Sequence, residues 1–277
     1  MKKILIPTDF SQNAKKATDY AITLFDSKET SITLLNTFSI PYTSAEVAYS
    51  VNDIIYDNAQ LLFEKEVKRI QNKFPNLESK ITTSFHVGSV IQVVNSIEMK
   101  ENIDLIVMGT KGASGMSAVL IGSTTASIIK NITAPLLVVP EKADLESPKR
   151  ILFTTDEELI GREIDYHILQ EIAHKNKSVV DALYISNSAN NKEVIETFID
   201  YELDLNLIDI PHHLNTESGK NIEKAILNYT DNHPTDLVVM VSNKGNLFYN
   251  LFHKSITKQI AMHTKLPLLV LHNNLKK

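Results

Sequence analysis

Lys2-Lys3-Ile4-Leu5-Ile6-Pro7-Thr8-Asp9 returns later in the chain as Lys149-Arg150-Ile151-Leu152-Phe153-Thr154-Thr155-Asp156, an offset of 147 from Asp9 to Asp156. Two more segments return in the same order. Asp104-Leu105-Ile106-Val107-Met108 matches Asp236-Leu237-Val238-Val239-Met240, and Pro135-Leu136-Leu137-Val138-Val139 matches Pro267-Leu268-Leu269-Val270-Leu271, both at an offset of 132. Ordered self-similarity on this scale is the mark of a duplicated unit. Ser31-Ile32-Thr33 still pairs with Ser178-Val179-Val180 at the first offset, so the second copy lost 15 residues after its second strand. The copies are expected to form two domains, residues 1–141 and 149–277, separated by the polar stretch from Glu141 to Ser147-Pro148.

Within each copy short apolar runs alternate with helical periods. Ile4 to Ile6, Leu105 to Met108 and Leu136 to Val139 are continuous apolar runs, the pattern of strands buried on both faces. Ala14, Ala17, Ala21 and Leu24 recur at three- and four-residue steps, as one apolar helix stripe does, and Ser11 is placed to cap that helix. The reading gives strands near residues 3–7, 31–37, 80–86, 104–109 and 136–139, with helices near 11–26, 52–73, 89–102 and 123–132. In the second copy strands fall near 150–154, 178–184, 207–211, 236–241 and 268–271. Alternating strands and helices joined by right-handed crossovers predict an α/β fold. Two tandem, doubly wound, five-stranded parallel sheets, with helices on both faces, are expected.

Composition excludes several functions. With 43% apolar and 22% charged residues the chain can bury real cores. A net charge of -5 leaves no basic footprint for nucleic acid or an anionic membrane. The absence of cysteine removes disulfides, thiolate metal sites and cysteine nucleophiles, and fits a reducing compartment. Only three apolar residues, Ile4 to Ile6, lie between the basic start and Pro7, too few for a signal-peptide core, so a cytoplasmic location is expected.

Ligands of doubly wound sheets bind beyond the carboxyl ends of the strands, where strand order reverses. After the first strand the chain reads Pro7-Thr8-Asp9-Phe10-Ser11. After the fourth it reads Gly109-Thr110-Lys111-Gly112, then nine residues, then Gly122-Ser123-Thr124 at the start of a helix. Glycines let backbone approach a ligand closely, and free amides at a helix start favour an anion. The helix dipole adds only about 0.3–1 kcal/mol, so several amides with the Ser123 and Thr124 hydroxyls must hold a phosphate. Asp9 at a strand-to-helix junction either faces the ligand or closes an Asx turn. Lys111 is a long basic side chain of the kind usually solvated, and stands as a secondary candidate.

The pattern Gly109, two residues, Gly112, nine residues, Gly122 and Ser123 resembles the nucleotide-binding signature of the universal stress protein family. Its setting between Asp104–Met108 and Pro135–Pro140, with a Pro-Thr-Asp turn on the first strand, matches too. The resemblance implies an ATP-binding fold in which Pro7, Thr8 and Asp9 line the adenosine side. Thr37 and Phe38, with backbone near Asn36, would meet the base. Met108, Gly109, Lys111, Gly112, Gly122, Ser123 and Thr124 would hold ribose and phosphates, with Mg2+ bridging phosphate oxygens. Gly88 matches another family position, although the proline often found two residues later is Val90 here. The resemblance also implies edge-to-edge pairing of Pro135–Pro140 with Pro267–Leu271, an internal pseudo-dimer that covers two sheet edges. It further implies a regulatory role in stress tolerance through an unidentified protein partner, and leaves a homodimer open.

The second copy lacks the cradle. Gly109 becomes Val241, Gly112 becomes Lys244 and Gly122 becomes Lys254, while Ser123 is matched by Ser255. Side chains at these places crowd a phosphate held against the backbone, so one working site, in the first copy, is expected. His212-His213 are neighbours that point to opposite faces of a strand and do not share a metal easily. No His-Glu-x-x-His, nucleophile elbow or Gly-x-Gly-x-x-Gly fingerprint is present. No residue stands out as a catalytic base, so the expectation is a nucleotide-binding protein and not an enzyme. A slow metal-dependent ATPase and a ligand-free interaction scaffold are the alternatives.

Overall fold

The computed structural model describes residues 1–38, 45–110, 123–155, 159, 161–186, 192–218, 222–242 and 265–272. The first half contains β1 (Lys2–Pro7), α1 (Gln12–Phe25), β2 (Thr30–Phe38), α2 (Ala45–Lys73), β3 (Lys80–Val87), α3 (Val90–Lys100), β4 (Leu105–Gly109), α4 (Ser123–Asn131) and β5 (Leu136–Val139). The second contains β6 (Arg150–Thr155), α5 (His167–Asn176), β7 (Val179–Ser186), α6 (Lys192–Asn206), β8 (His212–Ser218), α7 (Ile222–Asn232), β9 (Leu237–Ser242) and β10 (Leu268–His272).

The two five-stranded halves join into one ten-stranded sheet in the order β3-β2-β1-β4-β5-β10-β9-β6-β7-β8. Pairing within each half is parallel, and the join is antiparallel, with Leu268 opposite Val138 and Val270 opposite Leu136. This is the edge-to-edge contact that the family resemblance implied. Leu136, Leu137, Leu269 and Val270 are fully buried there, so the seam is as apolar as either core. Lys2 pairs with Glu171 of α5 across the halves, and Lys175 donates to the Asp26 carbonyl. Burial lowers the pKa of both lysines, with nearby carboxylates working the other way.

Local chemistry sets the element ends. Ser11 caps α1 by accepting from the Ala14 amide. Ser89 and Gln92 form a capping box at the start of α3, next to Gly88 at a φ of 134°, a conformation that favours glycine. Asp19 of α1, buried, accepts from Arg69 and Lys73 of α2, and Arg69 also binds buried Glu66. Burial opposes the guanidinium charge, yet the hydrogen bonds it donates to these two carboxylates hold its pKa above the ordinary value.

Two expectations need correction. The eighth strand is Residues 212–218, not 207–211. Leu207 and Ile210 are buried, but Leu207 closes α6 through the Leu203 carbonyl, and Asp209, at a φ of 61°, turns the chain before Pro211. The strand itself is half-exposed and mostly polar, because it is a sheet edge. The second helix begins at Ala45 and not near 52, and its 29 residues against the 15 of α6 account for most of the length lost from the second half.

Candidate functional site

In the first half β1 lies between β2 and β4, so strand order reverses between β1 and β4. Their ladder is short: Ile4 faces Leu105 and Leu5 faces Ile106, with no further pair. The next residue able to extend it from β1 is Pro7, which has no N–H to give. The hydrogen-bonded ladder therefore ends ahead of the strands' carboxyl ends, with Pro7-Thr8 following on one side and Met108-Gly109 on the other. The equivalent ladder of the second half runs on through Phe153 opposite Val239 and Thr154 opposite Met240. Thr154 stands where Pro7 stands in the first half, and its hydroxyl also donates to the Val239 carbonyl at 3.2 Å.

The β1–α1 turn is built by its own polar groups. The Thr8 hydroxyl accepts from the Phe10 amide at 3.0 Å, and an Asp9 carboxylate oxygen accepts from the Ser11 amide at 3.1 Å. Asp9 thus closes an Asx turn while its side chain is exposed at the rim. Phe10 takes a φ of 61°, an unusual conformation for an aromatic residue, and packs edge-on against Phe63 of α2 with ring centres 5.1 Å apart. The Thr8 amide donates to the Leu35 carbonyl, and the Thr8 carbonyl accepts from the Asn36 side chain at 2.6 Å. The turn is held to β2 from both directions.

Asn13 is the residue that sequence reasoning missed. Buried in the first turn of α1, it donates to the Val139 carbonyl at 3.0 Å and accepts from the Thr110 hydroxyl at 3.2 Å. A Cβ on Gly109 would lie 2.8 Å from Asn13 Cγ and Oδ1. Gly109 is therefore required by the approach of α1 to β4, a packing role that the expected phosphate contact did not anticipate. The Gly109 carbonyl accepts from Thr125 Oγ1 at 3.1 Å, which ties the start of α4 to the end of β4. Nothing in the sequence marks Asn13 except its place two residues beyond the cap.

Of the expected site residues, Pro7, Thr8 and Asp9 lie at the end of β1 and Met108 and Gly109 at the end of the neighbouring β4; Pro7, Thr8 and Met108 are buried and Asp9 is exposed. Thr37 and Phe38 end β2 on the Pro7 side, and Phe38 stacks on Phe85 with ring centres 4.8 Å apart. Ser123 and Thr124 open α4. Lys111, Gly112 and Gly122 lie outside the described residues. Among the described residues there is no group of three His, Cys, Asp or Glu side chains placed to hold a metal ion. Nor is any helix among them long and apolar enough to cross a membrane.

Comparison with known proteins gives one family. The sequence model described as the universal stress protein family matches residues 1–140. A universal stress protein of Methanocaldococcus jannaschii is 30% identical over 142 residues, covering 50% of this chain and 81% of that protein. Another, from Synechocystis, is 23% identical over 299 residues, covering 97% of this chain and 99% of that one. A universal stress protein of Archaeoglobus fulgidus has the same fold, with a TM-score of 0.64, 17% identity, and coverage of 99% of this chain and 97% of that one. The chain belongs to the universal stress protein family.

Proposed function

We propose that the protein binds ATP in the first half, at the switch point between β1 and β4, and acts as a cytoplasmic regulatory protein of stress tolerance. The observation that carries this reading is the end of the β1–β4 ladder after two residue pairs, at the point of strand reversal, directly ahead of the sequence Gly109-x2-Gly112-x9-Gly122-Ser123-Thr124. Ligands of such sheets bind where strand order reverses, and a glycine segment leading into α4 would supply backbone amides for an anion. The Pro7-Thr8-Asp9 turn, fixed by its own hydrogen bonds and by Asn36, presents a rigid wall to the adenosine. The hydroxyls of Ser123 and Thr124 add donors at the phosphates.

Mg2+ fits this site as a companion of the phosphates, since the surrounding chain offers hydroxyls and the single rim carboxylate of Asp9. When bound it supplies charge neutralisation of the triphosphate. The protein's residues then hold and orient the nucleotide. Occupancy biases the shape of a surface that a protein partner reads. No turnover is assigned.

Titration calorimetry of nucleotide-stripped protein with ATP and Mg2+ tests this. One site per chain is expected, and Gly122→Val should weaken it at least about tenfold without lowering the melting temperature. Unchanged affinity in that variant, with a normal melting curve, would remove Gly122 from the site.

A further inference from the structure

A second cleft lies at the join of the two halves, at the end of the sheet away from the β1–α1 turn. It is made of two cavities, of about 260 and 390 Å³, that share Asp104 and His167 as lining residues. Asp104 and Pro135 lead into β4 and β5 on one side; on the other, His272 ends β10, and Asp165 and His167 stand at the start of α5. Both halves therefore contribute to one surface.

The smaller cavity is lined by the carboxylates of Glu98, Glu101, Asp104 and Asp165, and among the described residues by no lysine or arginine. Each carboxylate is held through one oxygen. Glu98 Oε1 accepts from the Thr133 and Ala134 amides, Asp104 Oδ2 from the Lys3 amide, and Asp165 Oδ1 from the His167 amide. Glu101 Oε2 pairs with Lys3 Nζ at 3.2 Å. The second oxygen of each has no hydrogen-bond partner among the described residues. The larger cavity adds Glu29 and Glu171. Its cations are the amino group of Met1 and Lys2, which already pairs with Glu171, while Lys175 nearby donates to the Asp26 carbonyl.

An independent observation on β10 bears on what the smaller cavity takes. His272 lines it, and Nε2 of that ring donates to the Ile129 carbonyl at 3.4 Å. With the proton there, Nδ1 is an acceptor, and it is buried without a hydrogen-bond partner. The Ala134 backbone near the ring makes no hydrogen bond of ordinary geometry to it. A buried acceptor beside carboxylates with unengaged oxygens calls for a ligand that brings N–H donors and positive charge together. A metal ion does not suit, because no three His, Asp or Glu side chains among the described residues converge on one point. Charges spread along a cleft suit ammonium groups spaced along a flexible chain.

We propose that the cleft between the halves binds a linear polyamine, one ammonium group donating to His272 Nδ1 and the others facing Asp104, Glu101 and Asp165. The ligand would touch both halves and fasten their join, independently of nucleotide. Titration calorimetry with spermidine should find one saturable site per chain that weakens with added salt, and spermidine should raise the melting temperature. Asp165→Asn with Glu101→Gln, isosteric changes at exposed positions, should weaken binding about fivefold or more. Glu193→Gln with Asp200→Asn, which removes the same charge from α6, should leave binding unchanged. His272→Phe removes the acceptor and should also weaken binding, and its melting temperature without spermidine separates a lost contact from a lost fold. An absence of saturable binding, equal weakening by the two charge-removing pairs, or full displacement of spermidine by equimolar Mg2+ would each overturn the proposal.

Discussion

The two halves of this protein share a plan and differ at the switch point. In the first half the central ladder stops after two pairs, and in the second it continues for four. One residue accounts for the difference: Pro7 has no donor to offer, whereas Thr154 does. The same contrast appears at the end of β4, where Gly109 makes room for Asn13 and its counterpart is Val241. The first half thus combines a shortened ladder with a position that lacks a side chain. The second half has neither. It serves instead as a permanent edge partner, since β10 covers the strand edge that β5 would otherwise expose.

The strongest way to break this picture is at the seam. Leu269 is fully buried opposite Leu137, and Leu269→Ala should destabilise the chain by about 2–5 kcal/mol in denaturant unfolding. If the halves were stable apart, one transition would split into two. Gly109→Val, which imports the second half's residue, forces a Cβ against Asn13 and should cost about 1–3 kcal/mol. A loss well below that would mean α1 can lift from β4 freely.

Exchanging the ladder residues sharpens the comparison. Thr154→Pro removes a donor at a fully buried position and should cost about 1–3 kcal/mol by the same unfolding assay. The converse change, Pro7→Thr, should leave stability unchanged or raise it while ATP affinity falls by about tenfold. If affinity holds, the length of the ladder does not govern the site.

The smallest effect concerns His272 at the end of β10. Burial lowers its pKa below the ordinary 6.5, although contacts from the Ile129 carbonyl, Glu98 and the Ala134 backbone favour the charged form. Below about pH 6.5 the unfolded chain then binds more protons than the folded one, so stability should fall with pH there. The slope from this group is at most about 1.4 kcal/mol per pH unit. His272→Gln should flatten that part of a melting-temperature profile. An unaltered profile would place the pH sensitivity elsewhere.

Much of this was legible in the sequence because the halves repeat it. The runs Ile4–Ile6, Leu105–Met108 and Leu136–Val139 read directly as central strands, since strands buried on both faces need unbroken apolar residues. The edge strand at His212–Ser218 did not, because a half-solvated edge carries a polar pattern, and the apolar Leu207 and Ile210 beside it belong to a helix end and a turn. On the site, the glycine spacing was visible, but the reason for Gly109 was not. It depends on Asn13, which is 96 residues away in the chain and looks like any polar residue in a first helical turn. The Pro7 effect was hidden likewise, because a proline ending a strand carries no sign of which neighbour it fails to pair with.

The most direct test is the number of nucleotides bound per chain. Calorimetry of stripped protein with ATP and Mg2+ should give one site, abolished by Gly122→Val and untouched by Lys254→Ala in the second half. Two sites of comparable affinity, or one that survives Gly122→Val and disappears with a change in the second half, would contradict the account.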